Sequence, residues 1–562
     1  MLLVFLTVLA SQAQSNRKVW TGKGANTNFM TAGNWQGNAN PDSSHNVTIE
    51  VEEATTVDIT TDVVINSLDL SIKITGNNKT APDFVLNFNI HPGASLTILN
   101  TLTVRNYFTA AFSPSVVPKD NKVVFNVDGS LICVGNASFA SNGDTDSVFV
   151  TGSGDYYFQS NLSMGDWGLA DSTATMDFIF NGTSPQTVSV NNESVLPNVT
   201  IGENNSTTEV TFTRGFDVQS VTVTDGAILH VQDDLSVRNA FTAETGSTVE
   251  IGSDDVVSAS SFTLEPAAHL ISNNTGGIDG NISASLLNLS QESVYEFTGD
   301  AAATGISMPD TVSQLILTGV NVAMDRDITV TDALILDGTG GTASALQLNE
   351  NTLTINGLFD AQNGAIVASS SSTTTSEIVI GGTGDFGYLS LQDGSNILQN
   401  LVIDRTLTDI DTLSISSNIV IAGTLSILNG ELTTGTDTVH VLETGTLEET
   451  GGSVIGYVYV PRTLTSGSTE DFGNIGVEIT SVQNSPGTVY VTRLTGTEPT
   501  SAEDSMYVAI KRFYEISATA DSGAYVVDMS LQYGDSPEEL NAIEEQYLRL
   551  IQTSDGGATW QL

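Results

Sequence analysis

Six aspartates stand in close pairs, Asp144 with Asp146, Asp233 with Asp234 and Asp254 with Asp255. Paired carboxylates are what an inverting glycosidase needs, an acid and a base held roughly 6.5–9.5 Å apart across a sugar. The contexts NGDTDS, VQDDLS and GSDDVV are turn-like, and aspartate in a turn commonly accepts hydrogen bonds from its own backbone. Turn duty is therefore the first expectation, calcium ligation the second and catalysis the last. Acidic turns stacked on one another can gather enough oxygens for structural calcium, although the GGxGxDxUx calcium repeat is missing. No other cofactor is expected.

Other chemistries find less support. A lyase acting on polyuronates needs cations to hold carboxylates and an enolate-like intermediate, yet between residues 123 and 404 the basic residues are Arg214, Arg238 and Arg326. The tripeptides GHG and RIK of polygalacturonase-like hydrolases do not occur. His45, His91, His230, His269 and His440 are spread without HExxH or any other short ligand spacing. The one cysteine, Cys133, lies in the alternating run KVVFNVDGSLICV and reads as a buried structural thiol. Thr-x-Thr pairs such as Thr101/Thr103, Thr222/Thr224 and Thr352/Thr354 could order water if they formed one ladder. Their irregular spacing predicts that they do not. The densest aromatic cluster is GSGDYYFQSNLSMGDWGL, residues 152–169. Tyr156, Tyr157 and Trp167, with Asp155 and Asp166, are the candidate carbohydrate-binding platform, against the competing expectation that these rings pack inward.

The chain that must position these groups is 562 residues long and carries 65 acidic against 17 basic residues, a formal charge of −48. Such a surface repels phosphate polymers and anionic headgroups, which argues against nucleic acid or membrane-surface partners. Apolar residues make up 40% and charged ones only 15%, so polarity rests on Ser, Thr, Asn and Gly, a composition suited to strands and turns. Residues 1–13, MLLVFLTVLASQA, form a short apolar run ending in small residues and read as a secretory signal peptide. No later run reaches the ~18 apolar residues of a membrane helix, so no membrane span is expected in the mature chain.

From about residue 45 to 460 the sequence is a succession of short β runs, among them VDITTDVVI, KVVFNV, SVTVTDGAILHV and TLSILNG. Each is rich in Val, Ile, Leu and Thr and bounded by turn residues, with no sustained helical period. Residues 178–201, 295–319 and 378–403 share one outline of strand, glycine turn, polar stretch and strand. An irregular repeat of this kind suits a stack of coils with insertions, in which every coil covers the apolar inner face of the next. The expected fold is all-β, a right-handed parallel β-helix followed by a small, incomplete β-sandwich. At ~20 residues per coil and ~4.8 Å between strands, the solenoid would be on the order of 100 Å long.

The ends carry a resemblance. Residues 19–51 present Trp20, Asn34, Trp35, Pro41 and Asp42 ahead of the strand NVTI, and the tail contains AIKRFYEI, an acidic EL segment and Trp560. Together they resemble secreted β-helix surface proteins of Gram-negative bacteria that use type IX secretion. The resemblance implies that Trp20 and Trp35 cap the open end of the column, where an uncovered edge would invite association. It also implies a β-sandwich after the helix, continued beyond Leu562 in a longer polypeptide with further domains. The expected organisation is a signal peptide at 1–13, a cap segment at 14–50, a β-helix at 51–460 and the sandwich at 461–562. Function is expected to be that of a noncatalytic extracellular stalk or adhesin-like protein, secreted or at the bacterial cell surface, with neutral glycans or surface proteins as partners. The alternative is a carbohydrate-binding or polysaccharide-active β-helix.

Overall fold

A computed structural model of the chain describes residues 16–554 and 561, apart from 75–83, 109–120, 142–146, 166–167, 170–174, 192–194, 204–206, 339–340, 409–412, 500–507, 521–523 and 535–536. The expected signal peptide, Asp144/Asp146, Asp166, Trp167 and Trp560 lie outside the described residues. The chain is all-β in character. The described α-helices are the single turns Ile278–Asn281 and Pro537–Leu540, and among the described residues no helix is long and apolar enough to cross a membrane.

Two compact units divide the chain, the first ending at Ser293 and the second starting at Val294. This break falls inside the single stretch expected at 51–460. In the first unit the strands pair in parallel and alternate between ladders. One ladder runs through Asp155–Phe158, Asp177–Phe180, Val195–Ile201, Phe216–Val223, Leu235–Ala243 and Val257–Leu264. A second takes the intervening strands Leu162–Met164, Gln186–Val190, Glu209–Phe212, Ile228–Val231, Thr248–Ile251 and His269–Ser272. Parallel neighbours need a long crossover, and here the crossover is a strand of the other ladder. Pairing already includes Arg17–Val19 against Asn46–Val51, so the segment expected to cap at 14–50 contributes strands of its own.

Strand alternation explains the core. Successive side chains point to opposite faces, and Val221, Val223, Phe241, Ala243, Phe262 and Leu264 all point inward, each no more than 2% exposed. Like stacks on like, as with Phe241 on Phe262, parallel at 4.8 Å between ring centroids. Each such burial contributes about 1.5–3 kcal/mol. The turns stack too. Thr224–Ala227, Glu244–Ser247 and Glu265–Ala268 each close with an N–H to C=O bond of 3.0–3.1 Å. Their third residues, Gly226, Gly246 and Ala267, take φ of 76°, 78° and 59°, the left-handed position that a type II turn demands.

The second unit starts with the same parallel grammar, from Val294–Phe297 through Thr311–Thr318, Ile328–Asp337, Thr352–Ile355, Glu377–Ile380, Ile397–Asp404 and the long strand Ile419–Val441. The grammar changes within one strand, Gly452–Leu464. It pairs in parallel with Ile419–Val441 on one side and antiparallel with Gly487–Thr495 on the other, which in turn pairs antiparallel with Arg512–Ala518. A separate antiparallel sheet joins Thr469–Asp471, Val477–Gln483 and Val526–Leu531. The expected boundary at 460/461 thus falls inside a strand that serves both patterns.

Candidate functional site

Trp20 and Trp35 are buried, 6% and 1% exposed, and meet edge to face at 5.1 Å. Trp35 Nε1 donates to the Phe29 carbonyl at 2.6 Å, and Phe29 passes the contact on to Phe88 and Phe88 to Phe125. The two indoles therefore begin an aromatic column inside the first unit and are not surfaces on which a sugar could stack. Beside them the Ser44 hydroxyl and N–H bind Asp42, with His45 adding a contact at 2.7 Å. These bonds hold the Asp42 carboxyl down at about 2.

Of the expected carbohydrate platform, Asp155, Tyr156 and Tyr157 lie among the described residues. Tyr156 is wholly buried against Phe178 at 4.9 Å, and its hydroxyl donates to the Thr151 carbonyl. It is a core ring, because the alternation that turns Phe158 inward also turns Tyr156 inward. Tyr157 points outward but is half-buried, in register between Ile132 and Ile179, and donates to Asp155 Oδ2 at 3.3 Å. Of these three described residues, a side-chain hydrogen bond joins Asp155 and Tyr157.

The remaining candidates resolve into local structural duties. Asp233 Oδ1 accepts the Asp234 N–H, a local bond of the kind turn aspartates make, and Asp234 Oδ1 accepts the Val256 N–H from 22 residues away, both at 2.9 Å. The Asp255 carboxyl is pushed up by burial and by the neighbouring Asp233, Asp234 and Asp254. Among the described residues no group of three or more His, Cys, Asp or Glu side chains is arranged to hold a metal. Cys133 is buried and its thiol is pushed well up by desolvation, which leaves it inert. Arg238 pairs with Asp217 at 3.1 Å and Arg326 donates to the carbonyls of Ile306 and Met308, so neither is poised for an acidic polymer.

Two arrangements went unread in the sequence. His230 lies between Glu209 on one neighbouring strand, at 3.3 Å, and Glu250 on the other, at 2.6 Å. The Glu250 hydrogen bond, working against burial, raises the imidazole above its ordinary value. Its stabilisation is therefore complete below that ordinary value and is lost as pH rises through the folded one. A column of single threonines also forms, in which only Thr222 belongs to a Thr-x-Thr pair. Thr200, Thr222, Thr242 and Thr263 face one another on four successive strands, although 22, 20 and 21 residues separate them in sequence. The uneven spacing is absorbed in the turns and in the register shifts between these strands. Next to this column, serines 236, 258, 260, 283 and 285 line a shallow hollow of about 410 Å³.

No protein-family model, curated protein or solved structure matches the chain.

Proposed function

We propose that the parallel ladders wind as a right-handed β-helix and that the chain works as a noncatalytic spacer, a stalk or adhesin-like element exported to the bacterial surface. On this reading it is akin to the β-helix proteins of type IX secretion. The antiparallel strands after Gly452 supply one end of a β-sandwich, and neutral glycans or surface proteins are the partners. The observation that carries the reading is the in-register parallel pairing repeated at about 20 residues, in which inner side chains such as Phe241 and Phe262 stack from strand to strand. Parallel crossovers are almost always right-handed, and a quasi-one-dimensional stack of this sort gains or loses whole coils without refolding the rest.

The test is deletion of residues 224–243. Val223 pairs with Ala243, so the cut removes one repeat and leaves the turn at Glu244–Ser247 to follow Val223. The shortened chain should fold cooperatively with nearly the parent's melting temperature and a smaller scattering radius. Collapse of the first unit would overturn modular stacking. Protease shaving of intact cells that express the chain with its native leader tests the surface location separately.

A further inference from the structure

A second hollow, of about 320 Å³, lies on an outward sheet face of the second unit, lined by Leu358, Asp360, Tyr388, Ser390 and Ser416 among others. Tyr388 is 61% exposed and Leu358 43% exposed. The exposure has a backbone cause. Strict alternation from the buried Phe386 would send residue 387 outward and residue 388 inward. Gly387 instead takes φ of 92°, and a Cβ there would come within 2.8 Å of the Phe359 carbonyl oxygen. This glycine resets the alternation, so that Tyr388 faces solvent and Leu389 is buried. In-register pairing of Phe359 with Gly387, and of Tyr388 with Ser414, puts Asp360 and Ser414 on the rungs to either side of the ring.

We propose that Tyr388 is the stacking platform of a binding site for the ring of a neutral sugar. A phenol face beside an aliphatic side chain matches the C–H face of a pyranose, and hydroxyls and a carboxylate at the rim match its hydroxyl edge. Asp360 Oδ2 accepts the Gln362 amide at 3.2 Å, which orients the carboxylate and leaves its other oxygen for a sugar hydroxyl. The hollow, about 320 Å³, is at the lower end of the range for small-molecule sites. Charge selects among sugars. A carboxylate at the rim of a chain with a net charge of −48 accepts from hydroxyls and repels uronates and phosphates. One carboxylate lines the hollow, where hydrolysis needs two, so the sugar is held and not cleaved. The proposal stands on this geometry, independently of whether the chain is a surface spacer.

Calorimetric titration of the full chain with cellobiose, maltose, lactose and methyl mannoside, with digalacturonate as the acidic control, tests it. At least one neutral sugar should bind saturably at one site. Tyr388→Ala should weaken that binding about tenfold or more, and Asp360→Asn should weaken it less. Tyr157→Ala should leave it unchanged, and the melting temperature of Tyr388→Ala should match the parent because the ring is exposed. Absence of binding by all four neutral sugars, binding unaffected by Tyr388→Ala, or tighter binding of digalacturonate would each overturn the assignment.

Discussion

The two units satisfy their buried backbone in different ways. In the first unit, three buried amides make one pattern three times over. Asn34 accepts the Gly24 N–H and donates to the carbonyls of Asn26 and Asn28. Gln186 accepts from Gly182 and donates to Phe158 and Ser160. Asn281 accepts from Asn274 and donates to Gly252 and Asp255. In the second unit the corresponding work falls to arginine. Arg405, 1% exposed, donates to the carbonyls of Gly384, Asn356, Gly381, Thr383 and Asp385. Arg462 donates to those of Asp471, Leu442, Pro461 and Gly445. Buried backbone groups must find partners, and the kind of orphan selects the side chain. A loop that leaves one N–H and two carbonyls unpaired suits an amide, which offers one acceptor and two donors. A loop that turns several carbonyls inward suits the five-donor guanidinium fork.

The comparison is broken most directly at Arg405. Arg405→Leu keeps bulk and orphans five carbonyls, so the second unit should lose about 3–5 kcal/mol, read as lost hydrogen-exchange protection in Glu377–Ile380. Arg405→Lys should recover less than half of that, since one ammonium cannot reach five acceptors. A loss below about 1 kcal/mol would mean that the loop finds water instead. In the first unit, Asn281→Leu should cost about 2–3 kcal/mol, seen as faster exchange in His269–Ser272 with Glu377–Ile380 unaffected.

Acid tests a single ion pair of the second unit next. Burial would raise the Glu449 carboxyl, but the two bonds from Arg493 at 2.7 Å and the Val454 N–H outweigh burial and hold it below its ordinary value of 4.5. Its contribution is present above that value and is lost as pH falls through the folded one. Lowering the pH below 4.5 should therefore weaken the second unit in the parent, and Glu449→Gln should be weaker at neutral pH with a flatter acid dependence. The smallest effect belongs to the stacked turns. Ala267 holds the left-handed position that Gly226 and Gly246 occupy in the neighbouring turns. Gly246→Ala should destabilise by about 1–2 kcal/mol, and Ala267→Gly should stabilise by up to about 1 kcal/mol, both read from thermal unfolding. Loss of stability in Ala267→Gly would show that the alanine methyl packs well enough to offset its backbone strain.

Much of the fold was legible because strand formation and face alternation are local. Runs such as KVVFNV and TEVTF set which residues face inward from a two-residue period alone, and the inward Val, Ile, Leu and Phe of the sequence are the buried ones of the structure. The Asp233 bond to the Asp234 N–H is local, whereas the Asp234 bond to Val256 reaches 22 residues along the chain. What the tertiary structure alone decided depends on register between rungs some 20 residues apart. There a one-residue change in a turn moves a side chain to the other face. The threonine column and the Glu209–His230–Glu250 contact are of this kind. Tyr388 points outward only because Gly387 resets the alternation, and Arg405 meets its carbonyls only after segments distant in sequence have come together. Local sterics write the strands, while the sum of many turn lengths fixes which strand faces which, and that sum is not contained in any short stretch of sequence.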